Sequence, residues 1–571
     1  MLTNMKSGKR LMLMVLLATV CGTLSAQTLE EGRKFLYYER YKSARSVFEK
    51  LLAANPNNDE AAYWLGQTMI AHDEGRDLAG ARELYRKTLA ANSNSALLTA
   101  GMGHLSLLDN NARDARSQFE TAITLSKGQN ASVLNAVGLA NVEAKAGDIP
   151  YAIEKLKQAA AIKKMADPSV FINLGNAYRK EGDGGNAQTA YESALTLNPA
   201  YAAAPYRIGK IYQTQGINQE EIYMRYYNQA MEMDPAYGPV YENLYKYYYQ
   251  TDVGKSAGYL EKYLANTDDD PKNCYYRASM IYAQAKFSEA ITKANECIAS
   301  SSEPYPNLYG LIAYSYMKLK DTASARTQFE TYFAKQMPEK IGPADYQSYA
   351  DILLKYPPVD EEKAELYHEK AVNADSTEAG KTTIYKSVAT HYEGQKKHRK
   401  AAHWHHKVLR VKKDVRKTDL YNAGYNYFRS GDYAAANELF ADYAKRFPDD
   451  AFGYYMLGKS NWAIDSTMDQ GLANPYFEKA ITVGLTDSAK YKSQLIGSYK
   501  YFVVFNASKK KDKDAALSFC DKILAIDPND KETINNKAAI SAMNMNAPAP
   551  RPKTANPPAK PAGKGSGKPR R

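Results

Sequence analysis

The sequence predicts an all-α fold, a solenoid of stacked antiparallel helix pairs with about fourteen repeats in a chain of 571 residues. The first observation is a recurrence of glycine every 34 residues, at Gly32 and Gly66, Gly175 and Gly209, and Gly424 and Gly458. The second is that their surroundings match, as in NLGNAY, YRIGKIY and YMLGKS. Such a period is typical of helical repeats, in which each helix pair buries its apolar face against its neighbours.

The best-formed repeat spans residues 170–199. It carries small and large residues at fixed positions, namely Leu174, Gly175, Tyr178, Ala187, Tyr191, Ala194 and Pro199. Gly175 and Ala187 are small, so the two helices of the pair can approach closely, and Tyr191 helps to fill the space around that contact. We expect Gly182 to end the first helix and Pro199 to stop the second, because proline cannot continue a helix.

A second near-complete copy occupies residues 420–448. It has Gly424, Tyr427, Gly431, Tyr433, Ala436, Phe440 and Pro448. In both copies the pattern resembles the tetratricopeptide repeat family. The resemblance implies a right-handed α-solenoid that binds protein or peptide partners in a concave groove, with no cofactor.

Composition and repeat quality divide the chain into five predicted segments. These are a signal peptide at 1–26, an N-terminal repeat array at 27–265, irregular central repeats at 266–345, a C-terminal repeat array at 346–543 and a disordered basic tail at 544–571. The pattern is diluted at 265–275 and 336–345, so we expect two sub-arrays with a bend between them.

The first 26 residues have the three parts of a secretory signal peptide. Three cations precede an apolar run at 11–20, and small residues follow as far as Ala26. We therefore expect an exported mature chain that begins at Gln27, located in a bacterial periplasm or on the periplasmic face of the outer membrane. Cys21 offers the alternative of a lipoprotein, but Val20 before it is not the usual small residue, which favours plain cleavage.

Beyond the signal peptide, no apolar stretch approaches the ~20 residues that a membrane-spanning helix needs. The net charge of +12 comes mainly from three cations in the signal peptide and seven in the tail. The repeat region is therefore nearly neutral, which argues against a nucleic-acid groove. The tail either contacts anionic envelope polymers weakly or only keeps the chain soluble.

The chain has four cysteines, of which Cys274, Cys297 and Cys520 follow the signal peptide. An odd number without a CxxC motif argues against a disulfide framework or a zinc site. Cys274 and Cys297 are expected on the two helices of one repeat, where a single bridge is conceivable in an oxidising compartment. We expect two small buried thiols instead.

Histidines cluster once, at His403, His405 and His406. His403 and His406 share one helix face, a spacing that metals can use. His405, however, takes the position of an aromatic core residue, no HExxH motif is present, and five flanking cations disfavour a bound cation. We therefore expect packed or solvated histidines and no metal.

No nucleophile elbow, phosphate-binding loop or dinucleotide-binding glycine motif occurs in the sequence. Nearly every residue between 30 and 532 is already assigned to a helix pair, so no catalytic domain is expected. A hydrolase that uses the histidine cluster remains a third, weaker hypothesis.

The resemblance also implies which residues line the groove, since the first helix of each tetratricopeptide repeat faces the concave side. On that basis the partner-binding residues of a central groove are Asn176, Arg179, Tyr206, Lys210, Lys246, Tyr249, Tyr276 and Tyr314. A second, more aromatic set comprises Tyr421, Tyr425, Phe428, Tyr455 and Trp462. Some family members bind two carboxylates through lysines in this groove, but Ile172 and Pro239 occupy those lysine positions here.

Exposed aromatic rings with a few cations suit peptide recognition, because rings give a large contact area at a low entropic cost. The alternative for any one ring is simple packing between repeats. The leading hypothesis is a non-enzymatic scaffold that holds protein or peptide partners in the bacterial envelope. The alternative is a module that binds glycans or cell-wall peptidoglycan, since tyrosine-rich surfaces also stack on sugar rings.

Overall fold

The computed structural model describes residues 28–71 and 76–543. Within these ranges every regular element is helical, which confirms the all-α prediction, and the α-helices number twenty-nine. In chain order they are α1 (Leu29–Tyr37), α2 (Tyr41–Ala54), α3 (Asp59–Ala71), α4 (Leu78–Ala91), α5 (Ala96–Leu108), α6 (Ala112–Leu125), α7 (Ala131–Glu143), α8 (Ile149–Ala160), α9 (Ser169–Glu181), α10 (Gly184–Leu197), α11 (Ala203–Thr214), α12 (Glu220–Met233), α13 (Gly238–Tyr248), α14 (Val253–Ala265), α15 (Pro271–Ala283), α16 (Phe287–Ala299), α17 (Asn307–Lys318), α18 (Thr322–Lys335), α19 (Pro343–Lys355), α20 (Glu361–Ala374), α21 (Glu378–Gly394), α22 (His398–Val411), α23 (Lys417–Arg429), α24 (Tyr433–Arg446), α25 (Ala451–Ile464), α26 (Asn474–Gly484), α27 (Lys492–Phe505), α28 (Lys513–Ile526) and α29 (Lys531–Ala542).

Consecutive helices pack as antiparallel pairs, from α1 with α2 to α27 with α28, and α29 covers the last pair. The described helices thus form fourteen pairs, in agreement with the predicted repeat number. The pairs belong to two compact units, one ending at Tyr332 and the other beginning at Phe333. The predicted signal peptide and basic tail lie outside the described residues, and the predicted irregular segment at 266–345 stays a prediction.

In seven of the described helix pairs, a glycine of the first helix lies directly against an aromatic ring of the second helix. A Cβ atom on Gly175 would lie 2.3 Å from the Tyr191 ring, and one on Gly66 would lie 2.2 Å from the Tyr85 ring. The same contact joins Gly32 to Phe48, Gly103 to Phe119, Gly209 to Tyr227, Gly424 to Phe440 and Gly458 to Phe477. No side chain fits in this gap, so glycine sets how closely the two helices approach.

The helix ends follow local sequence. Gly182 takes a left-handed conformation, with φ of 88°, and its N–H and that of Asp183 bond to carbonyls of the last turn of α9. The Asp183 carboxylate then accepts the backbone N–H of Asn186 at 3.0 Å and caps α10. The predicted end of the first helix at Gly182 is therefore confirmed.

Cys274 of α15 and Cys297 of α16 form a disulfide, with Cα atoms 5.8 Å apart. The expectation of two free thiols was wrong, because the two antiparallel helices bring these residues to a distance at which a bridge closes. Cys520 is free and buried. Along the described part of the chain, none of the helices combines the length and apolar character required to cross a membrane.

The glycine contact predicts that replacing glycine by alanine changes the stability of the first unit in opposite directions at two positions. Gly175→Ala should destabilise the first unit by about 1–3 kcal/mol, because its methyl group meets the Tyr191 ring. Gly258→Ala, in the middle of α14 with no atom within 4 Å of the new methyl group, should stabilise the same unit by up to about 1 kcal/mol through helix propensity. Urea unfolding followed by circular dichroism measures both, and a shift of the same sign for the two variants would contradict the packing argument.

Candidate functional site

The second unit places the more aromatic set of predicted residues on α23 and α25. The rings of Tyr421 and Tyr425 stack with centroids 5.3 Å apart, and Tyr421 is 36% exposed. Phe428, one turn further along α23, is half-buried. These three rings, together with Tyr455 and Trp462 of α25, are called the aromatic strip below.

Lys459 links the two helices of the aromatic strip. Its ammonium group lies 5.1 Å from the Phe428 ring centroid and 5.8 Å from that of Tyr455, distances at which a cation is attracted to the ring face. Within the described residues, no carboxylate forms an ion pair with Lys459. Sequence reasoning missed this residue, although it follows Gly458 as the predicted residue Lys210 follows Gly209.

A pocket of about 290 Å³ adjoins the strip. Tyr455, Lys459 and Trp462 form one side of it, and residues of α27, α28 and α29 form the rest. Trp462 is held by an edge contact with Tyr501, at 5.2 Å between centroids. Lys500 at the rim is paired with Asp530 at 2.9 Å and Glu532 at 2.6 Å. Lys459 therefore remains the unpaired cation of this pocket.

In the first unit, several rings predicted to line the central groove pack between repeats. Tyr206 is 9% exposed and Tyr276 4% exposed. Tyr206 contacts the rings of Tyr227 and Tyr237. The hydroxyl of Tyr249 donates to the Ser279 carbonyl at 2.8 Å, and Tyr314 lies edge-on to Phe329. A role for these four tyrosines in binding stays a prediction, but packing already accounts for them.

The polar residues of that set are also held in place. Asn176 accepts a hydrogen bond from the Tyr191 hydroxyl at 2.8 Å, and Lys210 donates to Asn243 at 2.7 Å. Arg179 is exposed. At the positions where a two-carboxylate site needs lysines, Ile172 and Pro239 are both buried.

Glu242 of α13 contacts three side chains of the first unit. Its carboxylate lies 3.0 Å from Lys246 and 2.9 Å from Lys272, and it accepts the Tyr276 hydroxyl at 2.5 Å. Burial raises the pKa of Glu242, but the two ammonium groups and the hydroxyl outweigh burial and bring this pKa to about 2. Lys246 is therefore paired within the unit.

The first helix pair closes onto later repeats of its own unit. Arg33 pairs with Asp167 at 2.5 Å, and Arg40 pairs with Asp268 at 3.0 Å. The Tyr38 hydroxyl donates to Asp234 at 2.9 Å. The α1–α2 turn thus reaches residues up to 228 positions away in sequence.

A cavity of about 670 Å³ remains beside α1. It is lined by Arg33 and Tyr37 of α1, Trp64 of α3, Asn173 of α9, Tyr201 and others. The Tyr37 ring lies 4.9 Å from that of Tyr201. The chain's own first helix thus takes up part of the space that the sequence assigns to an open groove.

Each of the three clustered histidines contacts a different side chain. His405 is buried and its Nε2 lies 2.9 Å from the Glu393 carboxylate, while His403 contacts Trp404 and His406 contacts Tyr427. Burial lowers the pKa of all three histidines. Among residues 28–71 and 76–543, no group of three or more His, Cys, Asp or Glu side chains is arranged to hold a metal ion.

The helix pairs and their glycine–ring contacts define a helical-repeat protein, a class that typically mediates protein–protein interaction. Family models described as tetratricopeptide repeat match residues 29–96, 168–201 and 420–450. The two best-formed repeats of the sequence fall in the second and third matches. The chain therefore contains tetratricopeptide repeats in these three segments.

Several solved structures are similar to this chain. The C-terminal part of a TPR repeat-containing protein from Cytophaga hutchinsonii is 27% identical, covering 46% of this chain and 98% of that chain, with a TM-score of 0.30. The human IFIT1 dimer with PPP-AAAA is 16% identical, covering 74% and 91% respectively, with a TM-score of 0.37. Yeast Tom70 is 14% identical, covering 70% and 94%, with a TM-score of 0.36. No curated protein matches the chain.

The Glu242 cluster predicts a pH-dependent stability. The pKa of Glu242 is lower in the folded protein than its ordinary value of 4.5. Ionised Glu242 therefore stabilises the first unit fully at pH values above 4.5, and this stabilisation is lost as the pH falls towards about 2. Glu242→Gln should therefore cost roughly 3 kcal/mol at pH 7, and the difference from the parent protein should narrow below about pH 4.5.

Urea unfolding between pH 7 and pH 3 measures the difference. The matched control is Glu296→Gln, which removes the exposed ion pair with Lys293 and should change stability by less than about 1 kcal/mol. A cost for Glu242→Gln that stays constant over this pH range would contradict the electrostatic explanation.

Proposed function

We propose that this protein is an exported, non-enzymatic scaffold that binds protein or peptide partners through the aromatic strip of its second unit. The observation that carries the proposal is the partly exposed ring surface on α23 and α25, joined to a pocket that contains an unpaired cation. Helix pairs of this kind typically serve protein–protein interaction. The tetratricopeptide matches support the same class of function.

The strip has the features of a peptide anchor site. Stacked Tyr421 and Tyr425 offer a flat apolar surface whose ordering costs little entropy. The pocket, at about 290 Å³, lies at the lower end of the range for small-molecule sites, which is ~300–1,000 Å³. It therefore suits one anchoring side chain of a partner. Lys459 at its edge favours a partner segment with a carboxylate beside that anchor.

Export to the bacterial envelope has two supports. Residues 1–26 have the charge, apolar run and small residues of a signal peptide. The Cys274–Cys297 disulfide adds a second, since such bridges persist mainly in oxidising compartments such as the bacterial periplasm. We place the mature protein in the periplasm or on the periplasmic face of the outer membrane, where the basic tail meets anionic polymers.

The strip predicts where a partner is captured. A photo-crosslinking residue in place of Tyr421 should give protein adducts in cells, and one in place of Leu366, which is 55% exposed on α20, should not. When the crosslinking residue at position 421 is combined with Tyr425→Ala, Phe428→Ala and Trp462→Ala, the adducts should disappear, because the anchoring rings are lost. Binding of the partner so identified should weaken at least about tenfold in Lys459→Gln, measured by calorimetry.

Because ring removal also loosens packing, circular dichroism must show that the triple variant keeps its helices. Leu366→Ala is the matched control and should leave the adducts unchanged. Adducts that persist in the folded triple variant, or that form equally at both positions, would contradict the proposed surface.

Export predicts which residue begins the mature protein and which of its cysteines are oxidised. Protein recovered by osmotic shock should begin at Gln27 by mass spectrometry. Under denaturing conditions without reductant it should take up one iodoacetamide, at Cys520, and three after reduction. Leu16→Arg should block export because it interrupts the apolar run. A chain that keeps Met1 and has four reactive thiols, Cys21 included, would contradict export. A lipid on Cys21 would favour the lipoprotein alternative.

A further inference from the structure

The cavity beside α1 is bordered by helices that lie far apart in the sequence, among them α1, α3, α7 and α9. Its volume of about 670 Å³ lies within the range of small-molecule sites, which is ~300–1,000 Å³. Two contacts hold the first helix pair against this space, since Arg33 pairs with Asp167 at 2.5 Å and the Tyr38 hydroxyl donates to Asp234 at 2.9 Å. A space bounded in this way suits a compact ligand rather than an extended peptide.

Five aromatic rings line the cavity, and none of them is fully buried. They are Tyr37, Tyr38, Tyr41, Trp64 and Tyr201. The centroid of the Tyr37 ring lies 5.1 Å from that of Tyr38 and 4.9 Å from that of Tyr201, so these three rings are contiguous. The less polar face of a sugar ring packs well on such a surface, because its C–H bonds meet the electron-rich faces of the aromatic rings.

Two buried amides line the cavity beside these rings. Asn173 is 7% exposed and Asn135 is 6% exposed. The Nδ2 of Asn173 donates to the Oδ1 of Asn135 at 2.8 Å, and the Nδ2 of Asn135 donates to the Ser169 hydroxyl at 3.0 Å. The Oδ1 of Asn173 accepts no hydrogen bond from the part of the chain that the structure describes. A ligand hydroxyl would supply the missing donor, since amide oxygens at buried positions are normally hydrogen-bonded.

The charge of the lining favours an uncharged ligand. Acidic residues outnumber basic ones by five to two, since Glu30, Glu39, Glu143, Asp167 and Asp234 face only Arg33 and Lys34. This excess repels an anion, and carboxylates accept hydrogen bonds without donating any. A cation meets a different obstacle, because the guanidinium group of Arg33 already lies over the Trp64 ring, 4.9 Å from its centroid.

We propose that the first unit binds a short uncharged carbohydrate in this cavity. The contiguous tyrosine rings pack against a sugar face, and Asn173 and the carboxylates accept hydrogen bonds from its hydroxyl groups. Hydroxyl groups both donate and accept hydrogen bonds, so this ligand satisfies the polar lining without adding a charge. The site lies within the first unit, is independent of the aromatic strip and adds a second binding function to the proposed scaffold.

Isothermal titration calorimetry on the full mature chain tests the site with five probes. Maltose, cellobiose and N,N′-diacetylchitobiose are uncharged, digalacturonate is an anion and cadaverine is a cation. We expect saturable binding of one molecule of an uncharged disaccharide, with an affinity that sodium chloride does not change. Digalacturonate should bind at least about tenfold more weakly, because the acidic lining repels it. Binding of diacetylchitobiose alone identifies an N-acetylated sugar, and binding of maltose or cellobiose identifies a sugar recognised by its hydroxyl groups.

Variants locate the binding. Tyr201→Ala should weaken it at least about tenfold through loss of a stacking ring. Leu139→Trp should abolish it, because Leu139 lines the cavity and the larger side chain fills the space. The matched control is Tyr212→Ala, since Tyr212 is a half-buried tyrosine of α11 whose ring stacks on Tyr226. Trp462→Ala, in the aromatic strip, should also leave carbohydrate binding unchanged, so the two binding functions fail separately.

Circular dichroism identifies the variants that keep their helices, and only these are compared. The proposal would be overturned if none of the three uncharged disaccharides bound saturably, or if digalacturonate or cadaverine bound as tightly as they do. Full binding by a folded Leu139→Trp or Tyr201→Ala variant, or an equal loss in Tyr212→Ala, would overturn the assignment to this cavity.

Discussion

The close contact between a glycine of one helix and an aromatic ring of the next is the constraint on which the structure depends. At Gly175 and Tyr191, as at Gly66 and Tyr85, the ring lies where any side chain would stand. Where this contact occurs, the helices of a pair are held at a short distance, and neighbouring pairs pack against one another. The aromatic strip on α23 and α25 lies in two such pairs, those of Gly424 with Phe440 and of Gly458 with Phe477.

Much of this architecture could be predicted from the sequence because its determinants are local. The 34-residue period, the helix end at Gly182 and the buried position of His405 each depend on neighbours within one repeat. The disulfide was judged wrongly, since spacing places Cys274 and Cys297 on adjacent helices but does not say how closely they face each other. Lys459 was missed although its motif position was known.

Contacts between residues far apart in sequence explain the remaining differences between the predicted and the observed candidate site. The groove residues were predicted from motif position alone, which does not distinguish a ring exposed to a partner from one that packs between repeats. Tyr206 and Tyr276 pack between repeats, whereas Tyr421 is exposed. No sequence pattern indicates that Arg33 and Arg40 meet Asp167 and Asp268, because side chains far apart in sequence come together only through the accumulated rotation of the repeats between them.

The closure of the first helix pair onto later repeats also changes how the chain is expected to acquire its structure. In an ideal linear array each repeat depends only on its neighbours, and order spreads stepwise from any starting point. Here the contact between Arg40 and Asp268 joins residues 228 positions apart. Forming it closes a long loop, which costs conformational entropy in a topology that is otherwise local. The amino-terminal repeat should consequently be among the last parts of its unit to become ordered.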